Sequence, residues 1–497
     1  MLLLNSCMLQ TIYRAARRGQ SFIRDHPTAS ALTAVCAIAG IARIFMMLGA
    51  PVFIMKDSES YFLPGWDLAH GRTMDLELRR TPAYPWFIAV ALRVFGDELS
   101  SVALLQHLLG VGTALATFWA ARIAFGHGVA LCAAVLVAIS GPLLIFEHYV
   151  MPEALFACLL MLGAGCLLQG HASQRLGWFA LGGALMALAA LTRPAAQLVL
   201  IGLPLVMLLA RVPWKATAIR SLVAAGACAL ITAPWMLEVY HEYGIVSSGA
   251  TIGEPLIFRT VHQDHGFLLP DSTDSPYLDP IKNEARETVI EMAAKRENPS
   301  AMIHQIRRDY KLSRPDADAI LRDVAIEIIR IDPAYYLEST ARLTAQVLLG
   351  RHEALNLAWT SRRDRAGDDV LENWQSVPRI RELVQPATDD QREAHEAIDR
   401  LVNVFQPGIM NPLLLMLAAG GILIRGVGRE SRAALLLAFI PGALILTATL
   451  FSGGVYRFRY PADPFLYILA AAGGAWCLQA TGRLYARLQR FQRPVTA

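Results

Sequence analysis

Charge is scarce in this 497-residue chain. Asp, Glu, Lys and Arg make up 17% of it, hydrophobic residues make up 55%, and the mean hydropathy is +0.39. Soluble domains carry roughly 25% charged residues, so a soluble globular fold is excluded. The deficit is uneven: long stretches hold almost no charge, whereas residues 240–407 are dense in it. That pattern describes an integral membrane protein with one large polar insertion. Cysteine is absent from the insertion. Cys36, Cys132, Cys158, Cys166, Cys228 and Cys477 lie in apolar stretches, with Cys7 near the start. A disulfide framework is therefore not expected, and the thiols read as small hydrophobes packed between helices. The chain also lacks a G-x-x-x-x-G-K-[ST] phosphate loop, an H-E-x-x-H zinc motif and paired C-x-x-C motifs, and it shows no solenoid repeat. His262 and His265 have no metal-ligand spacing and read as surface residues. No resident metal or cofactor is expected, a weakly bound divalent cation remains compatible with the sequence, and nothing points to nucleic acid.

A membrane span takes about 20 mostly apolar residues. On that rule about ten helices are expected, at roughly 31–50, 100–124, 128–147, 151–170, 176–192, 195–211, 218–238, 409–425, 432–452 and 461–481. The opening MLLLNSCMLQ is too short for a cleavable signal, so the first span reads as an uncleaved anchor. If the N-terminus is cytoplasmic, alternate turns hold Arg14, Arg17, Arg18 and Arg24; Arg122; Arg175; Arg211, Lys215 and Arg220; Arg425, Arg429 and Arg432; and Arg483, Arg487, Arg490 and Arg493. Each of those segments is basic, as cytoplasmic segments are. Both termini are then cytoplasmic, and residues 56–99 and 241–407 face outward. Three parts result: an N-terminal transmembrane catalytic module (1–240) with its first outer loop (56–99), an extracytoplasmic insertion (241–407), and C-terminal transmembrane helices (408–497). The fold class is an all-α polytopic membrane protein with interfacial helices in the first outer loop and a mostly helical insertion. In that loop, TPAYPWFIAVALRVFG reads as an interfacial helix capped by Thr81 and opened by Pro82, with Tyr84 and Trp86 at headgroup level. In the insertion, Ser313 caps a helix whose apolar face is Ile320, Leu321, Val324, Ile328 and Ile329. Asp332-Pro333 ends it and opens another amphipathic helix running to about Gly350. The stretch 360–406 is charged and weakly periodic, and supports no detailed assignment.

Counting spans puts four charged motifs on one membrane face: Asp57 in KDSESYF, Glu153 in VMPEALF, Arg193 in LTRPAA, and Arg457 with Arg459 in VYRFRYPADPF. Separated charges gather at one boundary of a polytopic protein when that boundary handles a polar or charged substrate. Each residue also has a plainer explanation. Asp57, with Glu59 and Tyr61 close behind, is either an acid in a wet loop or a general base. Arg79 and Arg80 meet lipid headgroups or grip a phosphate. Glu153 complements a helix dipole, yet a carboxylate that deep calls for a polar partner; Glu147 is the weaker candidate of the two. Arg193 suits a helix C-terminus, but it, Arg457 and Arg459 stand on the side otherwise poor in arginine, which suggests an anionic ligand there. Arg43, inside the first span, either joins them or pairs with an acid.

The run Asp57-Ser58-x-x-Tyr61, Arg80-Thr81-Pro82-x-Tyr84-Pro85, Pro152-Glu153-Ala154-Leu155-Phe156, Leu191-Thr192-Arg193-Pro194 and Arg459-Tyr460-Pro461-x-x-Pro464 resembles the bacterial GT-C glycosyltransferases, in the protein mannosyltransferase-like and aminoarabinose-transferase-like branch. The likeness covers roughly the first 240 and last 90 residues. It implies a polyprenyl-phosphate sugar donor, catalysis at the extracytoplasmic face and an essential acid in the first outer loop, which falls on Asp57. Many members carry two adjacent acids there; Ser58 follows Asp57 in this chain, leaving any second acid role to Glu59 or Glu153.

The expected function is transfer of a sugar from polyprenyl phosphate to a hydroxyl or phosphate of an envelope glycan, lipid A or a protein, by inverting displacement at the periplasmic face of a bacterial inner membrane. An outward site, where nucleotide sugars are lacking, fits a lipid-carried donor. Asp57 and Glu153 are the catalytic candidates, with Arg80, Tyr61, Tyr84, Glu147, Arg193, Arg457 and Arg459 contacting substrate. In this scheme Arg193 and Arg459 stabilise the leaving phosphate, Arg80 assists, an apolar groove beside the first outer loop holds the polyprenyl chain among membrane lipids, and the insertion covers the site and selects the acceptor. The competing readings are a transporter or flippase of lipid-linked sugars, which would place its charges nearer the midplane, and a non-catalytic envelope scaffold.

Overall fold

The computed structural model describes residues 25–54, 57–76, 78, 80–249, 251–264, 266–270, 279–349, 388–403, 410–424, 429–453 and 456–491. Among these there is no strand, only an isolated parallel bridge between Phe53 and Tyr149. Helix is what the apolar sequence dictates, because a backbone in lipid must satisfy its own N–H and C=O groups. In chain order the N-terminal part holds α1 (Pro27–Gly49), α2 (Glu59–Ala69), α3 (Ala83–Phe95), α4 (Leu99–Phe125), α5 (His127–Ala138), α6 (Gly141–His148), α7 (Glu153–Ser173), α8 (Leu176–Ala190), α9 (Gln197–Leu209) and α10 (Trp214–Tyr243). The insertion holds α11 (Gly253–Ile257), a π-turn (Phe258–His262), α12 (Pro280–Ala294), α13 (Pro299–Tyr310), α14 (Arg314–Ile331), α15 (Pro333–Leu349) and α16 (Asp389–Val402). The chain closes with α17 (Met410–Ile424), α18 (Arg429–Phe451) and α19 (Asp463–Phe491).

Each of the ten expected hydrophobic segments falls on a helix. Among the described residues six helices are long and apolar enough to cross a membrane, or seven if the pair α5 and α6 counts as one span. That pair differs from the single helix expected over 128–147: it is bent by 48° at Ile139–Ser140. Pro142 supplies no backbone N–H and its ring crowds the preceding turn, so the span breaks there and Ser140 Oγ pairs with Tyr467 Oη at 3.0 Å.

Contacts define two ends of the bundle. At one, Arg122 on α4 donates to Thr28 near the start of α1, and Arg220 on α10 donates to Gln174 beside the basic turn after α7. At the other lie the end of α1, α2, α3, the α6–α7 and α8–α9 junctions, and the segment between α18 and α19.

The insertion sits over that second end. Its core is built from α11 to α14, where Ala285, Val289, Ile303, Ile306, Leu321, Val324 and Ile328 are buried together. As expected, Ser313 caps α14, accepting from Asp316 N at 3.2 Å, and Pro333 opens the next helix. Two anchors fix the insertion to the bundle. Arg259 of the π-turn, 0% exposed, donates through Nε to Thr449 O at 2.8 Å and through Nη2 to Ser339 Oγ at 2.8 Å. Tyr336 Oη donates to Leu450 O at 2.8 Å. Further along, α16, capped by Thr388 and Gln391, lays Ile398 against Gly49 of α1.

Candidate active site

Asp57 reaches the site because the extended segment before it is tied down. Phe53 N donates to His148 O at 3.2 Å and Val150 N donates to Phe53 O at 3.0 Å, so the end of α1 and the α6–α7 junction run side by side. Arg80 is placed by a second staple. Thr81 Oγ1 donates to Thr192 O at 2.8 Å and Ala83 N to Leu191 O at 2.9 Å, which joins the start of α3 to the LTRP turn. Thr81 was expected to cap α3; its hydroxyl instead makes this cross-link, and the helix has no side-chain cap. Gly249, at φ +97°, lets the entrance of the insertion pass close to the Arg80 carbonyl, 3.0 Å from where a Cβ would sit.

The Asp57 carboxylate lies between two guanidiniums. Arg80 Nη2 donates to Oδ1 at 3.0 Å and Arg457 Nη2 lies 2.7 Å from Oδ2. Arg80 also donates to Tyr61 Oη at 3.1 Å and stacks 4.5 Å from that ring's centroid. Burial acts to raise the Asp57 carboxyl, but the charges of Arg457 and Arg80 outweigh it and hold the group well below the usual carboxylate range. Burial likewise opposes the Arg80 charge, and Tyr61 and Asp57 more than restore it. Phe458 continues the row, with Arg457 5.3 Å and Arg193 5.2 Å from its ring centroid. Arg193 in turn pairs with Glu153, which is 2% exposed. One continuous row therefore runs Arg80, Asp57, Arg457, Phe458, Arg193, Glu153.

Asp57, Arg80, Arg457 and Phe458 line a cavity of about 1100 Å³. Its other walls are Glu59, Leu63 and Asp67 of α2 and Glu254, Ser300 and His304 of the insertion. Glu254 is itself held by Arg314 and Ser300. A ligand here would meet two cations at one end and elsewhere a mixed polar and apolar wall whose charged residues are the acids Glu59, Asp67, Asp75 and Glu254. Among the described residues no group of three His, Cys, Asp or Glu is arranged to hold a metal ion, and the six described cysteines are free.

Four expected residues are placed differently from the sequence reading. Arg459 was expected to stabilise a leaving phosphate, but it is 4% exposed, donates through Nε to Asp463 Oδ1 at 2.8 Å and through Nη1 to Leu348 O at 2.7 Å. It ties α15 to α19, and Arg457, not Arg459, faces Asp57. Tyr84 is buried in the protein rather than on its surface and donates to Gln106 Oε1 at 2.7 Å, leaving Trp86 exposed. Glu147 does not line the large cavity. Its carboxylate accepts from Arg43 Nη2 at 2.7 Å and faces His107 Nδ1 at 3.0 Å, so Arg43 pairs with an acid. His262 is half-buried, its ring bonded to the Glu297 carbonyl, while Arg79 and His265 lie outside the described residues. The sequence reading missed Gln106, His107, His148 and Asp463. The adjacent Gln106-His107 pair, inside a span whose charged residue, Arg122, lies at its far end, was the available signal.

Residues 79–237 match the family described as dolichyl-phosphate-mannose-protein mannosyltransferase. The match covers about a third of the chain and makes that segment similar to the family. It spans the Arg80, Glu153 and Arg193 motifs, and Asp57 and Arg457 reach them from outside the matched segment. Among solved structures, the archaeal oligosaccharyltransferase AglB from Archaeoglobus fulgidus, in complex with an inhibitory peptide and a dolichol-phosphate, aligns at 13% identity over 96% of this chain and 53% of its own, with a TM-score of 0.48. The apo oligosaccharyltransferase of Archaeoglobus fulgidus aligns at 16% identity over 94% of this chain and 52% of its own, with a TM-score of 0.49. ArnT from Cupriavidus metallidurans bound to undecaprenyl phosphate aligns at 15% identity over 90% and 78%, with a TM-score of 0.41. The chain spans about half the length of the oligosaccharyltransferases it aligns with. No curated protein sequence matches it.

Proposed function

We propose that the protein transfers a sugar from a polyprenyl-phosphate donor to an acceptor hydroxyl or phosphate of an envelope glycan, lipid A or a protein, at the periplasmic face of a bacterial inner membrane. The observation that carries this reading is the Asp57 carboxylate held between Arg80 and Arg457 on the wall of the large cavity. Both guanidiniums suit a phosphate, which they bind with charge-assisted hydrogen bonds, and the insertion offers a polar wall for an acceptor.

As it stands, Asp57 is a poor base, because two cations stabilise its charged form. An incoming phosphomonoester or phosphodiester competes for those cations. Once Arg80 and Arg457 turn to the phosphate, Asp57 loses both partners and becomes able to take a proton. The donor therefore binds first. In the transfer, the acceptor O–H gives its proton to Asp57 while its oxygen bonds to the anomeric carbon. The bond from that carbon to the phosphate oxygen breaks with its electron pair moving onto the phosphate, and the configuration inverts. Arg457 and Arg80 stabilise the charge that develops there. Glu153, held by Arg193, keeps the arginine row in line. Because guanidiniums supply the positive charge, transfer is expected to survive EDTA.

The test is transfer by the purified protein from synthetic undecaprenyl-phosphate sugars to envelope extracts, followed by mass spectrometry. Asp57→Asn should abolish product while retaining donor binding. Turnover retained in that variant would remove Asp57 from the chemistry, and loss of all turnover in EDTA would assign the phosphate charge to a metal.

A further inference from the structure

We propose that Gln106, His107, Glu147 and His148 form a buried positioning unit for this transfer, in which two imidazoles and one carboxylate share three protons and keep the segments bearing Asp57 and Glu153 in register. The proposal rests on the reading of those two acids as site residues.

The count follows from the hydrogen bonds. His148 Nε2 lies 3.2 Å from Ala50 O; a carbonyl only accepts, so that nitrogen carries a proton. His148 Nδ1 and His107 Nε2 are 2.9 Å apart and need one proton between them. His107 Nδ1 and Glu147 Oε2 are 3.0 Å apart and need another. Two neutral imidazoles bring two protons, and three contacts require three. The third makes the trio neutral, either as an imidazolium with a carboxylate or as neutral rings with a carboxylic acid. Without it, two lone pairs face each other at one contact among side chains that are 0–4% exposed.

The charged and titratable groups around the trio come from every packed element. Arg43 of α1 holds Glu147 Oε1 and is itself bound by the carbonyls of Ala39 at 3.2 Å and Ala138 at 2.7 Å. From α7, the Cys158 thiol lies within electrostatic reach of Glu147. Glu153 and Tyr460 border a small void beside Glu147. Gly110 of α4 leaves room for the carboxylate, since a Cβ there would lie 2.1 Å from Oε1. With both oxygens engaged and 4% exposure, Glu147 has no route to substrate.

The unit acts on the site through the backbone. Gln106 Nε2 donates to Glu147 O at 2.9 Å and to Tyr149 O at 2.7 Å, its amide oriented by Tyr84 Oη. His148 O accepts from Phe53 N and Phe53 O accepts from Val150 N. Asp57 follows Phe53 by four positions, and Glu153 follows Val150 by three. A loosened junction displaces both acids together.

Glu147→Gln is the discriminating variant. Its amide oxygen accepts from Arg43 and its N–H donates to His107 Nδ1, so every contact survives with both rings neutral and no labile proton. It should keep kcat within a few-fold of wild type at unchanged donor KM. Glu147→Leu should lose about 100-fold in kcat, as expected for groups displaced by about 1 Å, with donor affinity retained. A second readout needs no substrate: the thermal midpoint of the purified protein. Glu147→Gln, which keeps every contact, should melt near wild type, and Glu147→Leu, which leaves Arg43 and His107 unpartnered, clearly lower. Glu147→Gln as inactive as Glu147→Leu would overturn the proposal by giving the carboxylate a chemical role, and Glu147→Gln melting as low as Glu147→Leu would overturn the proton count. A wild type that transfers no sugar would sink the proposed function while the melting comparison still tests the unit.

Discussion

Asp57 illustrates how far a residue can be read in advance. Its motif made it a candidate base, but the two arginines that hold it come from positions 23 and 400 residues away, and no local pattern gives that geometry. The same blindness misassigned Arg459. It sits two residues from Arg457, and only packing decides which of the two turns toward Asp57 and which toward Asp463. Burying Asp57 between cations has a sign that can be checked. Its carboxyl is held below the ordinary value of about 3.9, so the stability it adds is present above that pH and lost as pH falls below it. Acid titration of thermal stability should therefore show a steeper fall below about pH 4 for wild type than for Asp57→Asn. Gly110 offers a second check. Gly110→Ala places a methyl inside the Glu147 carboxylate's space, and the thermal midpoint should drop, because the buried ion pair with Arg43 must separate. An unchanged midpoint would mean that α4 shifts without cost.

At the level of elements, hydropathy located the apolar helices among the described residues apart from the break in 128–147, because a span is defined by length and apolarity. The break between α5 and α6 was written in Ser140-Gly141-Pro142 but hidden by the apolar residues on either side. Helix α2 was missed because its mixed composition in residues 59–69 resembles a loop, and α16 because its charges mask an amphipathic face that docks on α1. Junctions rather than helices hold the site. The Arg459–Asp463 pair is fully enclosed; Asp463→Ala strands the guanidinium, and losing one partner of such a pair costs about 3–5 kcal/mol. Denaturation of the detergent-solubilised variant should show it. Arg259 does the equivalent work for the insertion. Arg259→Met removes the bonds to Thr449 O and Ser339 and should speed limited proteolysis within 251–349 while leaving the bundle intact. Equal cleavage rates would mean that Tyr336 and the remaining contacts suffice.

For the whole molecule, the arrangement of four separated motifs at one end of the bundle follows from alternation of basic turns, and the contacts among Asp57, Arg80, Arg457, Arg193 and Glu153 are the three-dimensional form of that alternation. What the sequence did not contain is the pairing order within the row, because opposite charges at a shared boundary have several ways to combine. The order found puts the Asp57 carboxylate between Arg80 and Arg457, where the proposed phosphate would have to displace it. Binding of undecaprenyl phosphate to the purified protein in nanodiscs measures that competition directly, in wild type, Asp57→Asn and Arg457→Ala. With its carboxylate neutralised, Asp57→Asn should bind the lipid phosphate more tightly than wild type, and Arg457→Ala should bind it at least about tenfold more weakly, as losing one charge-assisted bond implies. Equal affinity in all three proteins would contradict a phosphate site at Arg80 and Arg457.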